Sequence, residues 1–416
     1  MTGPNLVRLA WRNLWRNTRR TLLTLVAISF GLLMAVLFTA LQDRSFSDMI
    51  DLAARLHGGH VVVQHPEYLD SPTLDRSVQD APAKLAAIRA LPGVQAAVPR
   101  ITGNVMVASA RGSYGALFIA YDPALESPTT LSFLEGVQGD MLDSADGDGV
   151  VLGTRLAKNL GVGIGDKVVY TATDSTGEIV SGLARLRATV GTGAPSLDGA
   201  LVLLPIESVR RVLGYTPGEV TRIAVFIDDS RNSPRVRDAV NATLTDGAVA
   251  LTWDEVQPEL NGFIAMKVGG ARFMELVILI LVSASIFNTL FVSVMERTRE
   301  FGIMLAIGWT PRQVSGLIVL ESVWLAISGI VLGAALTTPL YLYLKSHPID
   351  VSAQFAADGA PMEIAGVGIA PVLQVGIFPE SVVVIVCAIV LATLLSGLYP
   401  AWRAGRTVPV ESIRLV

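Results

Sequence analysis

Hydrophobic residues in this chain occur in two patterns, as long unbroken runs and as short alternating stretches. Four runs are long and apolar enough to cross a bilayer as helices. They are Thr21 to Leu41, Phe273 to Met295, Val314 to about Leu344, and Ser381 to Tyr399. A helix rises about 1.5 Å per residue, so roughly 20 residues span a hydrocarbon core of about 30 Å. The third run is longer, which predicts that it extends beyond the bilayer or bends near Pro339.

The stretch of about 230 residues between the first two runs is patterned like an α/β protein. The helix Ala83 to Leu91 is predicted there, between strands that are rich in β-branched residues. Those strands include His60 to Gln64, Asn104 to Ala108 and Lys167 to Thr171. The stretch is long enough for one or two packed subdomains. At its ends, Gln42 to Leu56 and Trp253 to Lys267 are expected to be amphipathic helices that form a stalk.

Composition places the chain among membrane proteins. It has 416 residues, of which 51% are hydrophobic and 16% charged, and its mean hydropathy is +0.53. That balance is too apolar for a water-soluble protein of this length. The single cysteine, Cys387, lies within the fourth run, so no intramolecular disulfide is possible.

Arginine clusters predict the orientation of the chain in the membrane. Eleven arginines stand against three glutamates in the first 20 residues, in residues 296–313 and in the tail. They are Arg8, Arg12, Arg16, Arg19 and Arg20, then Arg297, Arg299 and Arg312, then Arg403, Arg406 and Arg414. The positive-inside rule puts both termini and residues 296–313 in the cytoplasm, with the first run as an uncleaved anchor. Residues 43–270 carry 19 Lys and Arg against 27 Asp and Glu, which argues against nucleic-acid binding.

Two short motifs in the α/β stretch suggest chemistry but have plainer explanations. The run "HGGHVVVQH" holds His57, His60 and His65, yet histidines along a strand need not converge as zinc ligands do. The run "GVGIGDKV" lacks the G-x-x-x-x-G-K-[ST] spacing and leads into a strand, which predicts a turn. The phosphate-loop motif occurs nowhere else in the sequence, so any nucleotide that drives this protein would be bound by another polypeptide.

Two features inside the third run have open interpretations. Glu321 is an acid within an apolar run, and such acids often have a functional role. It lies close to the cytoplasmic edge, so a structural hydrogen bond or an interfacial position competes with ion or proton coupling. The small residues of "GIVLG", Gly329 to Gly333, weakly indicate a face where helices pack closely.

The charged insert "ERTREFGIMLAIGWTPRQ", residues 296–313, is the strongest candidate site. It predicts a short amphipathic helix that stops at Gly308, followed by a new helix with Thr310 as N-cap and Pro311 in its first turn. A loop that only enforced topology would need cations alone. The added acids and apolar side chains therefore suggest docking into a groove on a soluble partner.

These motifs resemble a known family. The insert, the N-terminal "LAWRNLWRNTRRTLLTLVAISFG" and the tail "YPAWRAGRTVPVESIR" are similar to the permeases of ABC transporters in the MacB, LolC/LolE and FtsX superfamily, the type VII or mechanotransmission class. The stretches "YDPALE", "GVVLGTRLAKNLGVGIGDKVVY" and "LLPIESVRRVLG" resemble recurrent phrases of its outer domain. The resemblance covers nearly the whole chain.

The resemblance implies an α-helical membrane protein with four transmembrane helices. A large α/β periplasmic domain lies between the first and second helices, porter-like near 57–102 and 205–255 with an inserted β-rich part near 103–204. The implied segments are 1–20 as a cytoplasmic amphipathic helix, 21–42, 271–295, 314–344 and 379–401 as transmembrane helices, 43–270 as the periplasmic domain with its stalk, 296–313 as the coupling helix, 345–378 as a periplasmic loop, and 402–416 as a cytoplasmic tail.

The resemblance also implies how the protein is driven. The insert would seat in an ATPase subunit, present in two copies, that binds ATP and Mg²⁺, whereas this chain would hold no cofactor and would not itself be an enzyme. The residues that match the coupling motif are Glu296, Arg297, Arg299, Glu300, Gly308 and Arg312. Trp309 departs from the small residue usual after "AIG", which leaves the detailed fit to the partner undetermined.

Elimination within the superfamily favours a LolE-type permease of the bacterial inner membrane. MacB-type chains carry a fused ATPase, and FtsX-type chains have a smaller outer domain, whereas "GGHVVVQHPEYLDSP" is similar to the lipoprotein-releasing permeases. The expected partners are a second permease, lipidated cargo, membrane lipids and a periplasmic acceptor or adaptor. The residues expected at the entrance for acyl chains are Met34, Phe38, Phe273 and Val277. MacB-like efflux, FtsX-like regulation of cell-wall hydrolases and a stand-alone membrane enzyme are the alternatives.

Overall fold

The computed structural model describes residues 3–143, 147–244, 247–351, 363–364, 367–368 and 372–407. The chain divides into two compact units. We call the first the helical unit, formed by Met1–Ser45, Ala265–Ile349 and Leu373–Val416. The second, formed by Phe46–Ile264 and Asp350–Val372, is the sheet unit.

The helices of the described residues are, in chain order, α1 (Gly3–Leu14), α2 (Thr18–His57), α3 (Ala81–Arg89), α4 (Thr154–Leu160), α5 (Pro195–Asp198), α6 (Ile206–Leu213), α7 (Ser233–Asn241), α8 (Trp253–Val256), α9 (Pro258–Glu296), α10 (Thr298–Ala306), α11 (Pro311–Ser346) and α12 (Pro379–Gly405). A 3₁₀ turn, Trp15–Asn17, joins α1 to α2.

The strands of the described residues are β1 (Val61–Gln64), β2 (Val94–Ala108), β3 (Ser113–Tyr121), β4 (Glu135–Gly139), β5 (Gly149–Gly153), β6 (Lys167–Thr173), β7 (Ile179–Gly191), β8 (Leu201–Pro205), β9 (Arg222–Ile227) and β10 (Val249–Thr252). Four shorter strands follow α11, namely β11 (Ile349–Asp350), β12 (Glu363–Ile364), β13 (Val367–Gly368) and β14 (Val372–Leu373).

Four helices of the helical unit, α2, α9, α11 and α12, are long and apolar enough to cross a membrane. They contain the four apolar runs that the sequence pattern predicts as spans. The α11 helix continues unbroken through Pro339 to Ser346, so the third run is accommodated as one long helix. Ile28, Val282, Leu325 and Ile389, one from each of the four helices, lie in a common buried cluster.

Two glycines of α11 let it approach α2 closely, as the "GIVLG" motif weakly indicated. A Cβ at Gly329 would lie 2.5 Å from Cγ2 of Ile28, and one at Gly333 would lie 2.8 Å from Cδ2 of Leu32. The Ser29 hydroxyl donates to the Gly329 carbonyl at 3.1 Å. These contacts confirm the motif as a helix-packing face.

Because Gly329 is in contact with Ile28, we expect Gly329→Val to destabilise the helical unit by about 1–3 kcal/mol through overpacking. The thermal unfolding midpoint of the detergent-solubilised chain measures this effect. Gly316→Val is the matched control, since it adds the same side chain to α11 at a position with no neighbouring atom within 4 Å. Equal shifts of the unfolding midpoint in the two variants would mean that helix propensity, and not close packing, accounts for the effect of replacing Gly329.

The sheet unit is built on one ten-stranded mixed sheet with the order β10-β1-β9-β2-β3-β8-β5-β7-β4, and β6 pairs with both β2 and β7. The 15-residue β2 pairs with β9 through its first half and with β3 and β6 through its second half. The β2 strand starts ten residues before the predicted strand Asn104 to Ala108. It also runs continuously through residues 102 and 103, where the resemblance places a boundary between subdomains.

The two predicted stalk segments differ in the structure. Gln42 to Leu56 is helical as the continuation of α2. Trp253 to Lys267 is not a single helix, because α8 ends at Val256, Gln257 adopts φ −126° and ψ 69°, and α9 begins at Pro258. The cause is Pro258, whose ring disfavours a helical conformation at the preceding residue. A capping box between Thr252 and Glu255 starts the short α8.

A buried ion pair lies in the sheet unit, between β2 and the segment that follows β3. Arg100 Nε donates to Glu126 Oε1 at 2.8 Å, and both side chains are 1% exposed. Arg100 also donates to the Arg55 carbonyl at 2.7 Å, and its guanidinium carbon lies 5.5 Å from the centre of the Phe226 ring. The Arg100 guanidinium can be buried this completely because its charge is paired with a carboxylate and its other nitrogens also donate hydrogen bonds.

Candidate coupling site

The insert folds as the sequence predicts. The α10 helix ends in a Schellman motif, in which Gly308 N–H donates to Leu305 O at 3.1 Å and Trp309 N–H donates to Met304 O at 3.0 Å. Gly308 has φ +99°, a conformation that favours glycine. The next helix begins with Thr310 as N-cap in a reciprocal capping box, and Pro311 follows in the first turn.

One side of α10 is buried within this chain. Phe301 is completely buried in a cluster with Val294, Val314, Ile318 and Ala401. Met304, Leu305 and Trp309 are partly buried against the same cluster. Much of the apolar centre of the insert therefore packs α10 against α9, α11 and α12. The sequence pattern alone could not distinguish apolar residues used for this internal packing from apolar residues available to a partner.

A polar node, which we define as Asn13, Arg297 and Glu321, joins three elements. Arg297 Nη1 donates to Glu321 Oε1 at 3.0 Å, and Asn13 Nδ2 donates to the same oxygen at 3.0 Å. The side chains of Arg297 and Glu321 are only 9% and 6% exposed. Glu321 is thus a paired acid that ties α11 to α1 and to the start of α10, as the structural interpretation of this residue expects.

The two other acids of the insert are also paired within the chain. Arg16 Nη1 donates to Glu300 Oε2 at 3.0 Å, and Arg297 Nε donates to the same oxygen at 3.1 Å. Arg20 Nη2 donates to Glu296 Oε1 at 2.6 Å. Burial alone would raise the pKa of Glu300, but the hydrogen bonds from Arg16 and Arg297 outweigh it and lower the pKa below its ordinary value.

The remaining side of the insert is exposed and forms what we call the coupling face, made of Arg299, Ile303, Ile307 and Arg312. Ile303 is 46% exposed and Ile307 is 72% exposed. Among the described residues, no ion pair is formed by Arg299 or Arg312. Two apolar side chains flanked by two free cations can bind a groove that has an apolar floor and acidic edges.

The structure therefore divides the six residues predicted to contact an ATPase. Arg299 and Arg312 belong to the coupling face, and the exposed Gly308 lies beside it. Glu296 bonds to Arg20 of α2, Glu300 to Arg16 of the 3₁₀ turn, and Arg297 to Glu321 of α11, an arrangement that sequence reasoning did not anticipate. No local pattern pointed to those partners, because they lie 24 residues away for Arg297, 276 for Glu296 and 284 for Glu300.

A cavity of about 180 Å³ lies between α2, α9 and α12. Its walls are mainly apolar, and Arg272 and Glu275 are the charged residues of its lining. The other lining residues are Gly31, Ala35, Leu276, Ile278, Leu279, Val282, Val384, Ile385, Ala388 and Ile389.

The four residues predicted at a substrate entrance lie outside this lining. Met34 and Val277 are half-buried, whereas Phe38 is 37% exposed and Phe273 is 67% exposed. They lie on α2 and α9, two of the helices that bound the cavity, but other residues of those helices form its wall.

The plainer explanations of the two short motifs agree with the structure. His60 is buried, with Nε2 2.9 Å from Asp51 Oδ1, and His65 accepts from Glu67 N–H at 3.3 Å. Within the described part of the chain, no group of three potential metal ligands is found. The motif "GVGIGDKV" is a turn between α4 and β6, as predicted.

Comparison with known proteins identifies the two parts of the chain. Residues 21–243 match the MacB-like periplasmic core domain, and residues 272–409 match the C-terminal domain of FtsX-like permeases. The ABC transporter permease YtrF of Bacillus subtilis is 29% identical over 49% of this chain and 44% of YtrF.

Two further relatives extend over more of the chain. The lipoprotein-releasing system transmembrane protein LolC of Haemophilus influenzae is 24% identical over 77% of this chain and 78% of LolC. The macrolide export ATP-binding/permease protein MacB of Rhodospirillum rubrum is 25% identical over 98% of this chain and 60% of MacB. The chain thus spans between 44% and 78% of the length of these three relatives.

The periplasmic core match covers more than half of the chain, and the permease match covers the helices on either side of the insert. Together with four membrane-length helices, they show that the chain belongs to the MacB/LolC/FtsX superfamily of ABC transporter permeases.

Proposed function

We propose that this permease converts ATP hydrolysis in a separate ATPase subunit into a movement of the sheet unit that releases lipoproteins, or related lipidated cargo, from the inner membrane. Two ATPase copies would serve a pair of permeases, either identical or paralogous. The observation that carries the proposal is the coupling face, an exposed apolar and cationic surface at the turn between two membrane-length helices.

The contacts of α10 suggest how a movement would travel. A load applied to the coupling face reaches α11 through the Arg297–Glu321 contact, α1 through Asn13, and the 3₁₀ turn after α1 through Arg16. It reaches α9 directly along the chain, since α9 ends two residues before α10 begins. Because the Arg297–Glu321 pair is buried and Phe301 packs against α9, α11 and α12, α10 should move together with the helices around it.

The cargo proposal rests on the cavity between α2, α9 and α12. Its wall is mainly apolar, which suits the methylene groups of an acyl chain, and Arg272 could bind an anionic or carbonyl group beside them. LolC, whose name describes a lipoprotein-releasing system, aligns with most of this chain.

Efflux in the manner of MacB is the second candidate, because the alignment with the macrolide exporter covers 98% of this chain. In that case the cavity would be a packing defect between helices, and cargo would be handled by the sheet unit. The first candidate therefore predicts lipidated protein at the cavity wall, and the second predicts no cargo there.

Site-specific photo-crosslinking in cells that are labelled with radioactive palmitate tests the choice. A photoreactive residue at Ala388, on the cavity wall, is expected to capture palmitate-labelled protein when ATP is hydrolysed. The matched control is Leu391, on the same helix, exposed but outside the lining. Absence of labelled protein at Ala388, together with normal lipoprotein sorting and raised drug sensitivity on deletion, would favour efflux.

A further inference from the structure

The α1 helix and the turn after it present two side-chain stripes to their exposed side. Val7, Trp11 and Trp15 are exposed and follow one another at four-residue spacing. Arg8 and Arg12 follow the same spacing one position later and are also exposed. Residues four apart on a helix lie on one face, so an apolar aromatic stripe runs beside a basic one.

The opposite side of α1 is fixed to the helical unit. Ala10 and Leu14 are buried, and Asn13 donates to Glu321. Trp324 holds the helix on the side of the apolar stripe as well. Its Nε1 donates to the Val7 carbonyl at 3.3 Å, and its ring lies 4.9 Å from that of Trp11, which is still 38% exposed. The two stripes therefore belong to a helix whose orientation is set by its buried side and by Trp324.

The charge of this segment is unbalanced at its surface. Residues 3–42 contain five arginines and no acid. Glu300 and Glu296 neutralise Arg16 and Arg20. Arg8, Arg12 and Arg19 are exposed, and in the part of the chain that the structure describes they form no ion pair with a carboxylate.

We propose that the exposed side of α1 binds anionic phospholipid headgroups at the membrane surface. Tryptophan favours the boundary between headgroups and acyl chains, and arginines beside it attract anionic lipid by roughly 1 kcal/mol each. The apolar stripe also leads, along the chain, into the exposed Leu22, Leu23 and Val26 of α2. Topology alone needs cations in this segment but not the aromatic stripe.

Tryptophan quenching by spin-labelled lipids tests this proposal. Three of the six tryptophans, Trp11, Trp15 and Trp324, lie together at α1. The purified full chain is reconstituted in phosphatidylcholine vesicles with a trace of spin-labelled phosphatidylglycerol or, in parallel, spin-labelled phosphatidylcholine. The labelled phosphatidylglycerol is expected to quench several-fold more effectively.

The double variant Arg8→Gln/Arg12→Gln is expected to lose this preference, since each arginine contributes about a five-fold difference in lipid association. The matched control is Arg299→Gln/Arg312→Gln, which removes two exposed arginines that are predicted, like Arg8 and Arg12, to lie on the cytoplasmic side of the membrane. The control should keep the preference. In roughly 1 M salt, where the Debye length is about 3 Å, the unmodified chain should lose it as well.

Three results would overturn the proposal. These are equal quenching by both labelled lipids in the unmodified chain, a preference that survives in Arg8→Gln/Arg12→Gln, and equal loss in the two double variants. Equal quenching would instead favour a protein as the binding partner of this surface, because the vesicles contain no other protein that could bind there.

Discussion

Replacing Glu321 by leucine is expected to destabilise the helical unit by about 3 kcal/mol, because it removes the buried carboxylate that pairs with Arg297 and leaves that guanidinium only its bond to the partly exposed Glu300. The Asn13 amide loses its acceptor in the same step. Thermal or denaturant unfolding of the detergent-solubilised chain measures the loss. Glu321→Gln should cost less, since an amide oxygen can still accept one of the two hydrogen bonds.

Two comparisons distinguish this cause from a general effect of removing an acid. Glu259→Leu makes the same substitution at an exposed acid of α9 that belongs to the sheet unit, and it is expected to change the stability of the helical unit by less than about 0.5 kcal/mol. The double variant Arg297→Met/Glu321→Leu removes both buried charges and should recover much of the loss. A double variant less stable than Glu321→Leu would contradict the assignment.

The features that could be predicted from sequence are those encoded by neighbouring residues. Apolar runs longer than a bilayer is thick located the four long helices. The stop at Gly308 and the restart at Thr310 and Pro311 depend on side chains that act on their own backbone. The break at Pro258 was equally local, and attention to the residue before proline would have predicted it.

The features that could not be predicted join residues that are distant in the chain. Arg16 and Glu300 are separated by 284 positions, and Asn13 and Glu321 by 308. A single sequence does not reveal such partners, so the acids of the insert were assigned to an ATPase. The order of the ten strands, the Arg100–Glu126 pair and the cavity between α2, α9 and α12 likewise depend on packing between distant segments.

Introducing aspartate at Ile307 is expected to weaken binding of the partner ATPase by at least about 30-fold, the effect of losing a central apolar contact of about 2 kcal/mol. Ile307 is 72% exposed and Ile303 is 46% exposed, so both can reach a partner without a change in the fold. The tagged chain is purified from its native membranes, and the ATP hydrolysis that co-purifies with it is measured. Ile303→Asp should act in the same direction.

Ile164→Asp is the matched control for this prediction, because Ile164 is 57% exposed but lies in the sheet unit. A charge swap at Arg297 and Glu300 would test the wrong contacts, since both residues are paired within the chain and the swap would disturb α10 itself. Arg299→Gln and Arg312→Gln leave those pairs intact, and as cations at the edge of an interface they should mainly slow association and reduce its salt dependence. Undiminished ATP hydrolysis in Ile307→Asp and Ile303→Asp would exclude the coupling face as the contact, and would leave the polar node as a purely structural connection between α1, α10 and α11.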